Sequence, residues 1–233
     1  MQKIFLLAAV LTVISSLSTT TVAEDKAVLL TKTFSDSRAS YSVHIDNGSI
    51  QVLPSKTQTA HFTVYLKPIA GAECLEKRTT SDETASAKLN STCQLNQENF
   101  TIQTSQVEGK TLLKLNQQAY IEQSWQVFLP AQASLDIRAR QGKADIQVVS
   151  GDLDVGIVSG DVKLVTSPTQ YKSMKIITLA GNIYSQSQQD NNTDHDPNMV
   201  SLSNHVDIPG SGDANIKVIV AAGDINVEEN EYY

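Results

Sequence analysis

Between Gln141 and Thr166 the chain restarts itself every nine residues, as QGKADIQVV, SGDLDVGIV and SGDVKLVT. Glycines fall at Gly142, Gly151 and Gly160, with Asp152 and Asp161 directly behind two of them. The second and fourth residues after each glycine are apolar or small: Ala144 and Ile146, Leu153 and Val155, Val162 and Leu164. Asp145, Asp154 and Lys163 stand between them. Apolar residues at a spacing of two put one face of a strand inward and the other in water. Glycine supplies the backbone freedom for a sharp corner, and an Asp behind it can hydrogen-bond nearby backbone. Short strands restarted at fixed spacing are the mark of a stack of strands. The same signature returns as Gly181-Asn182-Ile183, as GSGDANIKVIV around Gly212, and as AAGDINV around Gly223. The pattern sends Ile146, Leu153, Val155, Val162, Leu164, Ile216, Val218, Ile225 and Val227 inward. It leaves Lys163 outward, where replacement by Glu is expected to be nearly neutral.

The first half of the chain is strand-like without the tight repeat. YSVHIDNGSIQVLP alternates around Asp46-Asn47-Gly48, a hairpin or corner signal, and HFTVYLKP, NFTIQT, LLKLN and SWQVFLP follow. No segment has the spacing of a convincing amphipathic helix. The fold class expected is therefore all-β: a β-solenoid or β-helix-like stack of short strands with Gly-Asp corners. Residues 24–133 form an N-terminal strand region and 134–233 the repeat region, and LPAQASLDIRAR runs between them with no linker composition, which makes them continuous.

Residues 1–23 read as a secretory signal peptide: Lys3 supplies the positive charge, IFLLAAVLTVI the apolar core, and Thr21-Val22-Ala23 a small-residue cleavage site before Glu24. That apolar run is shorter than the roughly 20 residues that span a bilayer. The mature chain is expected to be exported, periplasmic or extracellular at the cell surface, and not membrane-spanning. Cys74 and Cys93, the only cysteines, are then expected to form a disulfide closing a polar insertion. Loop-closure entropy makes such a bond worth about 3 kcal/mol. A formal net charge of −7 with no basic cluster argues against nucleic acid as a partner.

Catalytic and metal-binding patterns are missing from the sequence. Calcium-binding nonapeptides need several glycines per unit, whereas each unit here has one corner glycine, followed by Asp in two of the three, and Gly156 stands isolated. DNNTDHD (Asp190–Asp196) offers carboxylates and His195, without the glycine and distal Glu of an EF-hand loop. No two histidines stand at metal-ligand spacing. No nucleophile elbow, phosphate loop or dinucleotide fingerprint occurs. Asp145, Asp152, Asp154, Asp161, Arg138, Arg140 and Lys143 are what an outward strand face carries in any case.

The run SLDIRARQGKADIQVVSGDLDVGIVSGDVKLV (Ser134 to Val165) resembles the bacterial putative-adhesin family, exported or membrane-associated domains built from Ser-Gly-Asp-apolar-x-apolar units. GSGDANIKVIVAAGDINV is similar to the family's closing pattern, YSVHIDNGSIQV to its opening strand pair, and WQVFLPAQASLDIRA to its approach to the repeats. The resemblance implies a β-solenoid-like fold and carries over no catalytic residue. The insertion between Cys74 and Cys93 and the polar stretch from Gln186 to Pro197 depart from the family pattern. The expected function is that of a non-enzymatic, adhesin-like interaction module without cofactor or metal, whose partner is a protein or an envelope polymer. The alternatives are a polysaccharide-acting enzyme on a β-helix scaffold and a cation-binding repeat protein.

Overall fold

A computed structural model describes residues 28–69, 95–118, 120–147, 150–186, 200–202 and 204–229. The expected signal peptide with Ala23 and Glu24, the Cys74–Cys93 insertion and most of the stretch from Gln186 to Pro197 lie outside these residues. The described chain is all-β. Fifteen strands run in order: β1 (Val28–Phe34), β2 (Ser40–Pro54), β3 (Ala60–Pro68), β4 (Ile102–Val107), β5 (Lys110–Leu115), β6 (Ile121–Leu129), β7 (Ser134–Gln147), β8 (Leu153–Ser159), β9 (Val162–Thr166), β10 (Tyr171–Ala180), β11 (Ile183–Gln186), β12 (Val200–Leu202), β13 (His205–Pro209), β14 (Ala214–Ala222) and β15 (Ile225–Glu229). The single helical turn among the described residues is Gln97–Asn99.

All fifteen strands belong to one mixed sheet that does not close. Its centre is parallel. β2 and β7 are long enough to serve two limbs: their first halves pair with each other, with β5 and with β8, and their second halves with β6 and β9. The first limb continues from β8 to β14 and β10, the second from β9 to β15 and β11. Antiparallel strands finish the stack, with β4 and β13 on the first limb and β3, β1 and β12 on the second. A coil wound once per repeat would stack its rungs in chain order. Here β2 lies between β6 and β7, and β14 between β8 and β10, so neighbours in the stack are distant in sequence.

The inward positions of both limbs meet in one hydrophobic cluster. Every residue expected to point inward from the repeats, from Ile146 through Val227, is buried there. Trp125, Tyr41 and Phe62 add the aromatic bulk, with the Tyr41 and Phe62 rings tilted by 58° at 5.0 Å between centroids. Each fully buried aliphatic side chain contributes about 1.5–3 kcal/mol by leaving water, so the alternation seen in the sequence is the main stabilising term.

The corners explain the glycines. Gly48, Gly142, Gly160, Gly223 and Gly181 form a column where the first limb turns into the second, all with positive φ between 141° and 152°. A Cβ on Gly142 would lie 1.6 Å from the carbonyl oxygen of Gly48, and one on Gly160 equally close to that of Gly142. No side chain fits between rungs so close. The column ends on Gln123, whose backbone oxygen faces Gly48 and whose buried side chain accepts a hydrogen bond from Trp125 Nε1 at 2.9 Å. Gly151 is different: it sits at the opposite end of the first limb, where a Cβ would meet the Ala133 oxygen at 2.0 Å. The nine-residue period is thus half a rung, and alternate glycines serve opposite ends of a strand.

Candidate functional site

The aspartates behind the corner glycines bind the next rung, not their own turn. Asp161 Oδ1 accepts from the Asp224 backbone N–H at 3.2 Å, and Asp224 Oδ1 from that of Asn182 at 2.8 Å. Asp152 Oδ1 accepts from the backbone N–H of Asn215 at 2.7 Å and from its side-chain amide at 3.2 Å. Gly212 stands near this second set, where a Cβ would lie 2.4 Å from the Thr169 oxygen. One carboxylate oxygen of each Gly-Asp corner thus ties neighbouring rungs together. Among the described residues no group of three or more His, Cys, Asp or Glu side chains converges as a metal site.

The outer face of the first limb carries the richest chemistry. Because strands β2, β7, β8, β14, β10 and β13 pair in register, outward side chains form rows across the stack. One row reads Ser42, Asp136, Asp154, Lys217, Lys175 and Asp207; the next reads His44, Arg138, Gly156, Ile219, Ile177 and His205. The row nearest the corner carries Arg140 on β7, Val158 on β8, Ala221 on β14 and Leu179 on β10. On β8, β14 and β10 the face thus changes from charged to apolar along the strand, while on β7 it stays charged throughout.

An ion cluster holds the charged part. Lys110 Nζ donates to Asp136 Oδ2 at 2.9 Å, while Arg138 Nη1 stands 3.0 Å from both Asp136 Oδ1 and Asp154 Oδ1. The Asp136 side chain is only 13% exposed, so desolvation gives this cluster more weight than an exposed pair would have. Burial by itself would lower the Arg138 pKa, but the hydrogen bond it donates to Asp154 and the charges of both aspartates raise it on balance. His44, in register with Arg138, has its pKa lowered, first by burial and then by Arg138 and Lys114, against the opposing pull of Asp136.

Gly156 completes the arrangement. It lies opposite Arg138 on the neighbouring strand, and a Cβ there would come within 3.1 Å of Nη1 and 3.3 Å of Cδ. Its missing side chain is where the guanidinium lies. A shallow groove of about 570 Å³ opens above it, lined by His44, Arg138, Arg140, Val158, Ile219 and Ala221 among others. A second cleft of about 340 Å³ lies on the same face at the starts of the strands, between Lys110, Asp136, Asp154 and Lys217. Val158 in its wall and Leu179 beyond it are 59% and 69% exposed.

Of the residues singled out by the sequence, Arg138, Arg140 and Asp154 come together here, with Asp152 lining the cleft. Lys143 and Asp161 sit at the corner, 3.8 Å apart, and Asp145 lies on the outer face of the second limb. Cys74 and Cys93 fall outside the described residues. His44, Asp136, Gly156 and Lys217 were not singled out for this face, and only the register of distant strands brings them to it.

No known protein family and no curated protein matches the chain. Among solved structures, a putative cell adhesion protein from Clostridium sporogenes is similar over 88% of this chain and 100% of its own, with a TM-score of 0.49 and 10% sequence identity.

Proposed function

We propose that this chain is an exported, non-enzymatic, adhesin-like module. On this reading its rungs act together as a β-solenoid-like scaffold, and the outer face of the first limb binds a protein or an envelope polymer in the periplasm or at the cell surface. The observation that carries the reading is the groove over Gly156 with its aliphatic border. A surface that exposes Val158 and Leu179 beside ordered charges is more than solubility requires. Stacked-strand proteins bind through such extended faces.

The polysaccharide-enzyme alternative draws on Asp136 and Asp154, which lie in register on adjacent strands. A carboxylate pair of that kind works by holding a proton on one member while the other is ionised. The Arg138 guanidinium touching both works against that division of roles.

The test is site-specific photo-crosslinking in the producing cell, with the probe at position 158 on the first limb or at position 163 on the second. The binding reading expects a discrete adduct from 158 and none from 163. It falls if neither position gives an adduct while the purified protein cleaves an envelope polysaccharide.

A further inference from the structure

The cations on the first limb's outer face are not all neutralised. Lys217 and Lys175 face each other in register on adjacent parallel strands, an unfavourable juxtaposition of like charges. Their in-register carboxylate neighbours are engaged elsewhere: Asp154 is held by Arg138 at 3.0 Å, and Asp207 lies 3.2 Å from His205. Among the described residues, neither lysine is within ion-pair distance of a carboxylate. Among the described residues, Arg140, with its side chain 77% exposed, reaches only Asp46, at 3.5 Å. These cations surround the aliphatic surface of Val158, Ile219, Ile177 and Leu179, on a chain whose overall charge is −7. Arg138 and Arg140 are offset by Asp136, Asp154 and Asp46, so the uncompensated positive charge of this face is concentrated at Lys175 and Lys217.

Resting on the binding reading above, we infer that the occupant of this face is an extended acidic polypeptide segment with aliphatic side chains. Its apolar residues seat on Val158, Ile219 and Leu179, and its carboxylates meet Lys175 and Lys217 on one side and Arg140 on the other. Charge complementarity selects the acid, since a carboxylate between the two lysines relieves their repulsion. The aliphatic floor selects a polypeptide over a glycan. Sugar rings are commonly gripped by aromatic planes, and the rows on this face offer none apart from the imidazoles of His44 and His205.

The experiment is a fluorescence-anisotropy titration of the purified chain against three probes: a labelled ten-residue peptide alternating Glu and Leu, its Lys/Leu counterpart, and labelled alginate as an acidic polysaccharide. The expected result is binding of the Glu/Leu peptide at least about tenfold tighter than the Lys/Leu peptide, weakening with salt. Lys175→Glu with Lys217→Glu, and separately Leu179→Asp, should each weaken it by about tenfold or more. Lys163→Glu on the other limb should leave it unchanged. All four are exposed positions, and thermal unfolding of each variant confirms that it is folded. Equal binding of both peptides, or indifference to the double lysine variant, overturns the inference. Binding of alginate alone overturns the polypeptide assignment while the binding-module reading stands. Failure of all three probes together with no crosslink from position 158 overturns both.

Discussion

The two limbs are built from the same rungs, yet their outer faces differ. On the inside they are interchangeable: Leu153 and Val155 do for the first limb what Val162 and Leu164 do for the second, and all four are buried. On the outside the second limb shows polar contacts, such as Gln126 with Gln51 at 3.3 Å and Lys163 with Glu228 at 2.9 Å, and exposes Leu29 and Tyr65 only at its antiparallel end. The first limb shows an ion cluster, a side-chain-free slot at Gly156 and exposed aliphatic residues. Corner and core hold both limbs alike, so the outward positions are free to differ. A strand's alternation separates the two tasks residue by residue.

The comparison can be attacked first through what the limbs share. Leu153→Asp in the first limb and Val162→Asp in the second each bury a charge without a partner, and each should cost more than about 4 kcal/mol. Urea unfolding should show both variants largely unfolded. If Leu153→Asp matched the wild type, the assignment of inward positions would be wrong.

Next comes the hinge between the limbs. Gly142→Ala places a Cβ against the Gly48 carbonyl and should cost about 3 kcal/mol or more, whereas Gly109→Ala, in a positive-φ turn with open space around it, should cost about 1 kcal/mol. Comparable unfolding midpoints for the two variants would remove the close approach of rungs as the reason for glycine.

A third test uses the link between limbs at their far end. The Tyr171 hydroxyl, on the first limb, donates to Glu229 Oε1 on the second at 3.4 Å. Burial, then the Glu229 charge and this hydrogen bond, push the Tyr171 pKa up to about 12. The unfolded chain ionises near 10 and so loses the proton first. The stabilisation is therefore present below pH ~10 and is lost as pH rises from there through ~12. Tyr171→Phe should flatten the fall of the melting temperature across that window. An unchanged slope would show that alkaline unfolding begins elsewhere.

The smallest effect separates the outer faces themselves. The hydrogen bond to Glu228 raises the Lys163 pKa, although burial works against it. Lys163→Glu sets the new carboxylate against Glu228 and Asp145. It should cost about 1 kcal/mol at low salt and less at high salt, instead of being neutral as the strand pattern alone suggests. A salt-independent loss in thermal melts would point to packing rather than charge.

How much was legible can be judged from particular residues. The buried set from Ile146 to Val227 followed from spacing alone, because a strand's side chains alternate whatever it pairs with. Gly48 was readable as a turn signal but not as a corner in a parallel stack, since Asp-Asn-Gly serves hairpins equally well. Asp161 and Asp224 were readable as corner residues, while their acceptance from the next rung depended on which strand became the neighbour. Gly156 looked isolated in the sequence because its reason, the Arg138 side chain, lies across a strand boundary.

The sequence by itself determined the strand class, the inward positions and the places where side chains had to be absent. Those are local properties, set by backbone sterics and by the period of two. Only the tertiary structure decided that β14 would enter between β8 and β10, and with it that Lys217 would stand beside Lys175 and Ile219 beside Gly156. Strand pairing selects among many similar apolar ladders through backbone hydrogen bonds that any residue can make. Alternation fixes which way a side chain points, but it does not encode which strand will lie next to it.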